Sequence, residues 1–318
     1  MISLDRQEIE ALIDVHHAAL AIEEAFRATS RGQVNLPPIG HITFPGRGAD
    51  CHIKYGHLQD APTFVIKVAT GFPHNADLGL ATGNGLVLVL SAETGQVQAV
   101  LHDEMVLTDI RTGLGGAIAT RLLARKDSKQ ILVVGTGPQA RRQIEAHAAL
   151  LSEPVRFRIW GRNAERAADL IEGLSSSCVI SVADNLEQEV RQADIVVTAT
   201  GAAAPLIMAD WVMPGTHITA VGADAPGKQE LEVDLVGRAD VLSVDLATQC
   251  IDHGEVSHAV KAGRIDQQDL KELGSLLMNT DTGRTNESQI TIADLTGIAA
   301  QDIAMANSVL SAFKSRND

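Results

Sequence analysis

Three charged side chains lie within otherwise apolar or glycine-rich stretches of the sequence: Lys67, Arg111 and Asp224. Lys67 has apolar neighbours on both sides, so it either points to solvent or forms a buried cation. Arg111 opens a helix of small residues, where a guanidinium group can bind a carboxylate through two parallel hydrogen bonds. Asp224 follows a short apolar strand and is expected at the end of a sheet where ligands bind. Each is a candidate for substrate binding or proton transfer.

A strand, a glycine turn and a helix follow each other between residues 129 and 150. Residues 131–134 are apolar and rich in β-branched side chains, which predicts a buried parallel strand. Gly135, Thr136 and Gly137 form the turn, and Pro138 suits the first position of a helix. Glycines let the backbone approach a pyrophosphate, and the helix N-terminus offers free N–H groups. Because Ala140 replaces the third glycine, this motif alone does not distinguish nucleotide binding from a plain turn.

The strands and helices predicted after residue 150 favour nucleotide binding over a plain turn. Strands are predicted at residues 155–160, 179–182, 194–199, 217–221 and 241–244, with helices at 164–174 and 186–192. This alternation is typical of an α/β protein with a Rossmann-type, doubly wound parallel sheet. Thr200 and Gly201 follow the fourth strand, at the carboxyl edge where such folds bind their ligands.

The N-terminal third has a different pattern. Residues 5–31 predict one or two amphipathic helices, and short runs between residues 41 and 102 predict an antiparallel or mixed sheet. Residues 298–314 predict a final helix, which we expect to pack against this first domain.

Composition excludes several classes of protein. The formal net charge of −14 argues against nucleic acid or an anionic membrane surface as a partner. The three cysteines are far apart, which predicts reduced thiols in a cytoplasmic protein, with no metal site. The acidic N-terminus is unlike a signal peptide, and no apolar stretch approaches the roughly 20 residues that span a bilayer.

The choice between NAD and NADP depends on the second strand of the nucleotide-binding unit. An acidic residue normally follows that strand and binds the ribose of NAD. Here the strand is followed by Gly161, Arg162 and Asn163, with no carboxylate. Arg162 either accepts a 2′-phosphate or lies in a solvated turn. We therefore expect NAD(P)H as the cofactor, with a preference for NADP(H).

Several motifs, taken together and in order, resemble those of the ornithine cyclodeaminase/μ-crystallin family. The resemblance extends over nearly the whole chain. It is carried by Lys67 with GFPHN at 71–75, TDIRT at 108–112, GTGPQA at 135–140, VGADAPGKQE at 221–230, HGE at 253–255, and the pairs Thr296-Gly297 and Gln301-Asp302.

This resemblance implies a substrate-binding and dimerisation domain over residues 1–120 with 299–318, and a Rossmann domain over 121–298. It implies a homodimer that moves hydride to or from the α-carbon of an amino acid through an imine. Lys67 and Arg111 would bind the substrate carboxylate, and Lys67 and Asp224 would be catalytic. The implied and predicted cofactor-binding residues are Thr108, Gly135, Thr136, Gly137, Pro138, Gln139, Ala140, Arg162, Thr200, Val221, Gly222, Thr296 and Gly297.

Two departures from the family pattern bear on the substrate. Family members often carry an arginine after a proline in the early loop, where this chain has Ile39. Ornithine cyclodeaminase carries a glutamate near the position of Lys54, which receives the distal amine of ornithine. The Lys54 side chain either faces the substrate or points outward. If it faces the substrate, it repels a diamino acid and suits a substrate with a neutral or anionic side chain.

Three functions remain open from the sequence. The favoured one is an NAD(P)H-dependent reductase of a small 2-imino or cyclic imino acid, such as a ketimine or pyrroline-2-carboxylate reductase or an amino-acid dehydrogenase. The second is a cyclodeaminase that uses bound NAD and releases ammonia. The third is a non-catalytic NADPH-binding protein of the μ-crystallin kind.

Overall fold

The computed structural model describes residues 1–152, 154–174 and 178–317. Its strands are β1 (Ile2–Leu4), β2 (Val34–Asn35), β3 (Gly40–Phe44), β4 (Ala49–Leu58), β5 (Thr63–Gly71), β6 (Gly83–Ser91), β7 (Val97–Leu101), β8 (Gln130–Val134), β9 (Arg156–Trp160), β10 (Val179–Val182), β11 (Ile195–Thr198), β12 (Ala203–Ile207), β13 (His217–Ala220), β14 (Gln229–Leu231), β15 (Val241–Val244), β16 (Leu270–Glu272) and β17 (Thr291–Asp294). Its α-helices are α1 (Arg6–Leu12), α2 (Val15–Ser30), α3 (Val106–Leu123), α4 (Pro138–Leu150), α5 (Ala164–Glu172), α6 (Leu186–Gln192), α7 (Val233–Arg238), α8 (Ala247–Cys250), α9 (Gly254–Lys261), α10 (Leu273–Leu277) and α11 (Ala299–Asn317).

The chain divides into two compact units. Unit 1 comprises Met1–Arg111 with Ile298–Asp318, and unit 2 comprises Thr112–Gly297. Unit 1 therefore ends earlier than the expected boundary at residue 120. The division falls inside α3, which is one continuous helix, so the sequence has no break in composition to mark it. The predicted domains also include residues 153, 175–177 and 318, which lie outside the described residues.

Unit 1 is built on a mixed seven-stranded sheet. Its strands follow the order β1-β7-β6-β5-β4-β2, with β3 also paired to β4. The β1–β7 pair is parallel and the other pairs are antiparallel. The helices α2 and α11 pack on each other, and α11 also packs on β4 and β5. The C-terminal helix α11 thus packs within unit 1, together with the N-terminal part of the chain.

Side chains cap the N-termini of the first two helices by accepting hydrogen bonds from backbone N–H groups of the first turn. Asp5 accepts a hydrogen bond from the Glu8 amide at 2.9 Å, and Glu8 accepts one from the Asp5 amide at 2.9 Å. Asp14 accepts a hydrogen bond from the His17 amide at 2.7 Å. Such caps satisfy N–H groups that a helix cannot pair internally.

Unit 2 is built on an eight-stranded parallel sheet with the order β10-β9-β8-β11-β13-β17-β15-β16. A small second sheet pairs β12 with β14. Residues Ile131, Leu132, Val133 and Val134 of β8 are fully buried in its centre. Because the strand order reverses at β8, the carboxyl ends of β8 and β11 border the crevice in which such folds bind ligands. The predicted α/β class with a Rossmann-type sheet is confirmed.

The sequence predicted six strands in unit 2, and the main sheet has eight. The two additional strands are β16 and β17, each of only three or four residues with charged members. Within the described ranges, every helix is too short or too polar to cross a membrane.

Candidate functional site

Unit 1 brings three predicted substrate-binding cations into one buried cluster, which consists of Lys54, Lys67 and Arg111. Lys54 on β4 lies directly opposite Lys67 on β5. The side chains of Lys67 and Asp302 are each only 2 % exposed, and the Lys67 Nζ atom donates to Asp302 Oδ1 at 2.8 Å. The sequence left open whether Lys67 points to solvent, and the structure shows that its side chain is buried.

Arg111 is fixed by residues at the start of α11. Its Nη1 atom donates to Gln301 Oε1 at 3.4 Å, and Gln301 Nε2 donates back to the Arg111 carbonyl at 3.3 Å. The Arg111 Nε atom lies 3.4 Å from Asp302 Oδ1, which is an ion pair without hydrogen-bond alignment. The guanidinium group is thus held in place by its neighbours.

Three buried polar atoms, one in this cluster and two on the helices that carry Arg111 and Asp302, have no hydrogen-bond partner among the described residues. They are Arg111 Nε, Asp302 Oδ2 and Thr108 Oγ1. Leaving a buried donor or acceptor unpaired costs about 1–3 kcal/mol, so such atoms are uncommon unless a ligand pairs them. The Arg111 donor and the Asp302 acceptor belong to adjacent side chains and suit a small ligand that carries both a carboxylate and an N–H group. Thr108 lies one helical turn before Arg111 and adds a hydroxyl on the same side of α3.

Burial and neighbouring charges shift the acid–base properties of this cluster. Burial lowers the pKa of Lys67 to about 7, with Asp302 opposing the shift and Arg111 and Lys54 adding to it. Burial alone would raise the pKa of Asp302, but Lys67, Arg111 and Lys54 together hold it below its usual value. Lys67 can therefore exchange a proton near neutral pH, whereas Asp302 stays ionised.

The glycine turn of unit 2 connects β8 to α4. Gly135 has φ of 135°, and a Cβ atom there would lie 2.5 Å from the Ala199 carbonyl oxygen. Gly137 precedes the helix and Pro138 occupies its first turn; among the described residues, no side-chain hydrogen bond caps this N-terminus. Apart from its two chain neighbours, a Cβ atom on Gly137 would have no atom of the described residues within 4 Å. The backbone of this turn is therefore open to a phosphate-bearing ligand.

The end of β9 passes close to this turn. A Cβ atom on Gly161 would lie 2.5 Å from the Thr136 Cγ2 atom, so only glycine fits there without a shift. Arg162 follows and is exposed. Asn163 caps α5 by accepting a hydrogen bond from the Arg166 amide at 3.2 Å. The Gly161-Arg162 segment is thus adjacent in space to Thr136 of the glycine turn.

A buried glutamate ties together the ends of β11 and β13. Glu230 Oε2 accepts hydrogen bonds from Thr198 Oγ1 at 2.7 Å and from the Gly222 amide at 2.9 Å. Glu230 Oε1 accepts one from the Thr200 amide at 2.6 Å. Thr200 and Gly222, two predicted cofactor-binding residues, are held by one carboxylate. Val221 lies beside them, and its amide donates to the Thr198 carbonyl at 3.0 Å.

A second glutamate supports the first. Both Glu255 carboxylate oxygens accept backbone hydrogen bonds, from the Glu230 amide at 2.7 Å and the Leu231 amide at 2.9 Å. Burial, together with the charge of Asp294, raises the pKa of Glu255 to about 9. Burial likewise raises the pKa of Asp294 to about 7. These acids are positioned to brace the strand ends.

The remaining predicted residues of unit 2 lie in two further places. The Gly297 amide donates to Asp245 Oδ2 at 2.6 Å, and Thr296 Oγ1 donates to Asp245 Oδ1 at 3.2 Å. Asp224 lies in the segment after β13, where Lys228 Nζ donates to its Oδ1 atom at 2.6 Å. Asp224 is thus half-exposed and ion-paired, unlike the buried Lys67.

The sequence motifs predict roles for many of these residues but not for the carboxylates that hold them. Asp302 and Glu230 lie in motifs that carried the family resemblance, yet neither was given a role. Asp245 was not singled out at all. Their signal is an acid within an apolar stretch, the same signal that drew attention to Lys67. Thr108, expected to bind cofactor, lies in unit 1 with Arg111.

The fold and these residues define a protein with a Rossmann-type nucleotide-binding unit and a separate unit that carries buried cations. Residues 1–317 match the sequence profile of the Ornithine cyclodeaminase/mu-crystallin family. The chain belongs to this family, as its motifs predicted.

Three solved structures are similar over the whole chain. One is an archaeal alanine dehydrogenase dimer with bound NAD, 34% identical, with a TM-score of 0.91, covering 100% of this chain and 97% of that one. Another is the Δ1-pyrroline-2-carboxylate reductase of Thermococcus litoralis with NADH and L-proline, 26% identical, with a TM-score of 0.93 and coverages of 100% and 98%. The third is the iminosuccinate reductase of Paracoccus denitrificans with NAD+, 30% identical, with a TM-score of 0.88 and coverages of 100% and 97%.

Proposed function

We propose that the protein is an NAD(P)H-dependent oxidoreductase that reduces the C=N bond of a small 2-imino acid to the amino acid. The observation that carries this proposal is the buried cluster of Lys54, Lys67 and Arg111 around Asp302, with its unpaired polar atoms. The three similar structures support it, because they are named as enzymes of amino or imino acids and contain NAD+, NAD or NADH.

Each member of the cluster has a separate task in this proposal. Arg111 binds the substrate carboxylate through two parallel hydrogen bonds from its guanidinium group. Asp302 Oδ2, which is unpaired among the described residues, accepts a hydrogen bond from the substrate N–H group. Lys67, whose pKa is about 7, is close to half protonated at neutral pH and donates the proton that the substrate nitrogen needs. Asp224, which is ion-paired with Lys228, is the second candidate for acid–base catalysis.

Unit 2 holds the cofactor in this proposal. Gly135, Thr136, Gly137, Pro138, Gln139 and Ala140 form the pyrophosphate cradle, which the open space at Gly137 allows. When bound, the reduced nicotinamide supplies the hydride. Thr200, Val221 and Gly222 line the strand ends, held by Glu230, and Thr296 and Gly297 are held by Asp245. These carboxylates fix the backbone before any cofactor arrives.

We further propose a preference for NADP(H). Arg162 is exposed, follows the strand that normally ends in a ribose-binding acid, and lies next to a glycine that contacts the pyrophosphate turn. An arginine here favours a 2′-phosphate. In the Arg162→Ala variant we expect the KM for NADPH to rise at least tenfold while that for NADH changes little. Equal effects on both cofactors would remove this preference.

Lys54 narrows the substrate class. The residue is 7 % exposed and lies directly opposite Lys67, so it contributes to the same buried positive field. A substrate with a distal ammonium group would add a fourth cation to this field, which is unfavourable. We therefore propose substrates with a neutral or anionic side chain, such as the imines of pyruvate and oxaloacetate, and cyclic imino acids, rather than diamino acids.

The experiment that tests the proposal follows absorbance of the reduced nicotinamide with NADPH and NADH in turn. The panel contains pyruvate or oxaloacetate with ammonia, pyrroline-2-carboxylate and, for the cyclodeaminase alternative, ornithine with catalytic NAD. We expect rapid cofactor oxidation with at least one imine and its loss in Lys67→Met. Ammonia release from ornithine without net cofactor oxidation would replace the proposal with a cyclodeaminase. Cofactor binding without either reaction would indicate a non-catalytic protein.

The homodimer and the cytoplasmic location stay predictions for this chain. The similar archaeal alanine dehydrogenase is described as a dimer with bound NAD, which supports the first of them. Sedimentation of the purified protein tests it directly.

A further inference from the structure

Three metal-ligating side chains from two paired strands of unit 1 share one face of the sheet. His41 on β3 lies directly opposite His52 on β4, and Asp50 precedes His52 by two residues. Because alternate residues of a strand point to the same face, Asp50 and His52 project together, with His41 beside them. The pairing of β3 with β4 thus brings His41 next to Asp50 and His52, from which it is separated in the sequence.

The ligand atoms of these residues are close enough to share one ion. The His52 Nε2 atom lies 3.2 Å from Asp50 Oδ2, and the His41 Nε2 atom lies 3.9 Å from the same oxygen. One ligand atom from each residue lies within 4.8 Å of the others. Ligands bound to one zinc ion at about 2.0–2.2 Å lie within roughly 4.4 Å of each other. Small side-chain rotations therefore suffice to bring all three onto one ion.

The neighbouring strand leaves room on this face. Gly71 lies opposite Asp50 on β5, and Ala69 lies opposite His52. A Cβ atom on Gly71 would lie 2.9 Å from Asp50 Oδ1, so a larger residue there would crowd the carboxylate. The side chains of His52, His41 and Asp50 are 17%, 32% and 35% exposed. They are therefore partly buried but still accessible to a metal ion from solvent.

We propose that His41, Asp50 and His52 form a binding site for a divalent transition metal ion. Two imidazoles and one carboxylate suit Zn²⁺, Co²⁺ or Ni²⁺, whereas Ca²⁺ and Mg²⁺ prefer oxygen ligands alone. Three protein ligands leave at least one coordination position open to water or to an anion. The proposal is independent of the reductase activity. It departs from the sequence-based expectation of no metal site, which considered only cysteine spacing.

The test is titration of the tag-free, chelator-treated full chain with Zn²⁺ by isothermal calorimetry, and with Co²⁺ by visible absorption. We expect one equivalent of saturable Zn²⁺ binding and a Co²⁺ ligand-field band. Binding should weaken at least tenfold in His52→Ala and in Asp50→Asn. The matched control is His74→Ala, because His74 and Asp77 form an exposed pair 3.5 Å apart with no third ligand in the same set among the described residues.

Binding that is absent, or that persists unchanged in the His52 and Asp50 variants, would overturn the proposal. Equal weakening in His74→Ala would overturn it as well, because it would indicate dispersed surface binding. Circular dichroism of each variant checks that the fold is intact. His41→Asn is the reserve variant, since His41 is the more exposed of the two histidines and its replacement perturbs packing least.

Discussion

The Lys67 Nζ atom lies 2.8 Å from Asp302 Oδ1 in a pair that is almost completely shielded from solvent. The two residues are 235 positions apart in the chain, and their pairing joins β5 to the first turn of α11. Burial pushes the lysine towards its neutral form while the aspartate pulls it back. The resulting pKa of about 7 is the property on which the proposed proton transfer depends.

Replacing Asp302 by Asn removes the anion that opposes deprotonation of Lys67. The pKa of Lys67 should fall below 7, so the protonated form is lost at a lower pH. If this form is the proton donor, the fall of kcat/KM with rising pH should move to lower pH. Activity at pH 7.5 should drop about tenfold for every pH unit by which the profile moves. Steady-state pH profiles of imine reduction measure this.

The control for that variant is Asp77→Asn, which changes the same group at an exposed position. Asp302→Glu should recover part of the original profile, because it restores the charge. A profile that loses height in Asp302→Asn without moving along the pH axis would show that Asp302 does not set the pKa of Lys67. Removing one partner of a buried ion pair also costs about 3–5 kcal/mol of stability, so assays belong well below the melting temperature.

Alanine at the two glycines of the turn should separate cofactor binding from folding. Gly137→Ala adds a methyl group into open space, so its unfolding free energy should change by less than about 1 kcal/mol. If a pyrophosphate lies against this backbone, the Kd for NAD(P)H should rise at least tenfold. Gly135→Ala places a Cβ atom 2.5 Å from a carbonyl oxygen at a positive φ, so the fold itself should be destabilised. Fluorescence titration measures the cofactor affinity of each variant, and thermal unfolding measures its stability. Unchanged affinity for NAD(P)H in Gly137→Ala would argue against pyrophosphate binding at this turn.

Lys54→Met tests the contribution of that cation to substrate selection. The variant keeps most of the side-chain volume and removes one charge from the cluster. We expect the KM for an anionic imine, formed from oxaloacetate and ammonia, to rise at least tenfold more than that for the imine of pyruvate. Competition assays with both imines measure the ratio. An equal change for the two substrates would place Lys54 away from the substrate side chain.

Glu255→Gln should flatten the dependence of stability on pH. The folded-state pKa of Glu255 is raised to about 9, so its stabilising effect is present at low pH and lost as pH rises through that value. Between the unfolded and folded pKa values, the folded state binds more protons, and wild-type stability falls by up to about 1.4 kcal/mol per pH unit. The variant lacks this group, so its free energy of unfolding should fall less steeply from pH 5 to 9.

The same variant should lose about 1–3 kcal/mol at pH 6, because its amide NH₂ faces a backbone N–H group that a carboxyl oxygen of Glu255 accepts from in the wild type. Urea unfolding across the pH series gives both quantities. Glu172→Gln, at an exposed position of α5, serves as the comparison and should keep the wild-type slope. Parallel slopes in wild type and Glu255→Gln would contradict the raised pKa.

The sheet of unit 2 was predictable where its strands are mostly apolar, as at β8 and β15, each of which has a single polar residue. Buried parallel strands read as continuous apolar runs, and the glycine turn marks where the first one ends. The strand β17 escaped because its polar ends resemble a loop, although all four of its residues are buried. Its place between β13 and β15 is set by neighbours that are distant in sequence.

The site was predictable by residue type but not by environment. Lys67 and Arg111 stood out because a cation amid apolar or small residues is unusual. Whether Lys67 is buried depends on α11, which arrives at the other end of the chain, and local sequence carries no trace of that packing. The proximity of His41 and His52 could not be predicted for the same reason. It results from the register in which β3 pairs with β4, and no short sequence motif contains both residues.

Unit 1 is interrupted by residues 112–297, so its last helix leaves the ribosome only after the whole of unit 2. At about 5–20 residues per second, this interval lasts roughly 10–40 seconds. During that time the nascent N-terminal sheet lacks the helix that packs on β4 and β5, and Lys67 lacks its counter-ion. Unit 2 is contiguous and can mature first. A chain that stops before α11 would therefore contain all of unit 2, but the sheet of unit 1 would lack the helix that packs on β4 and β5.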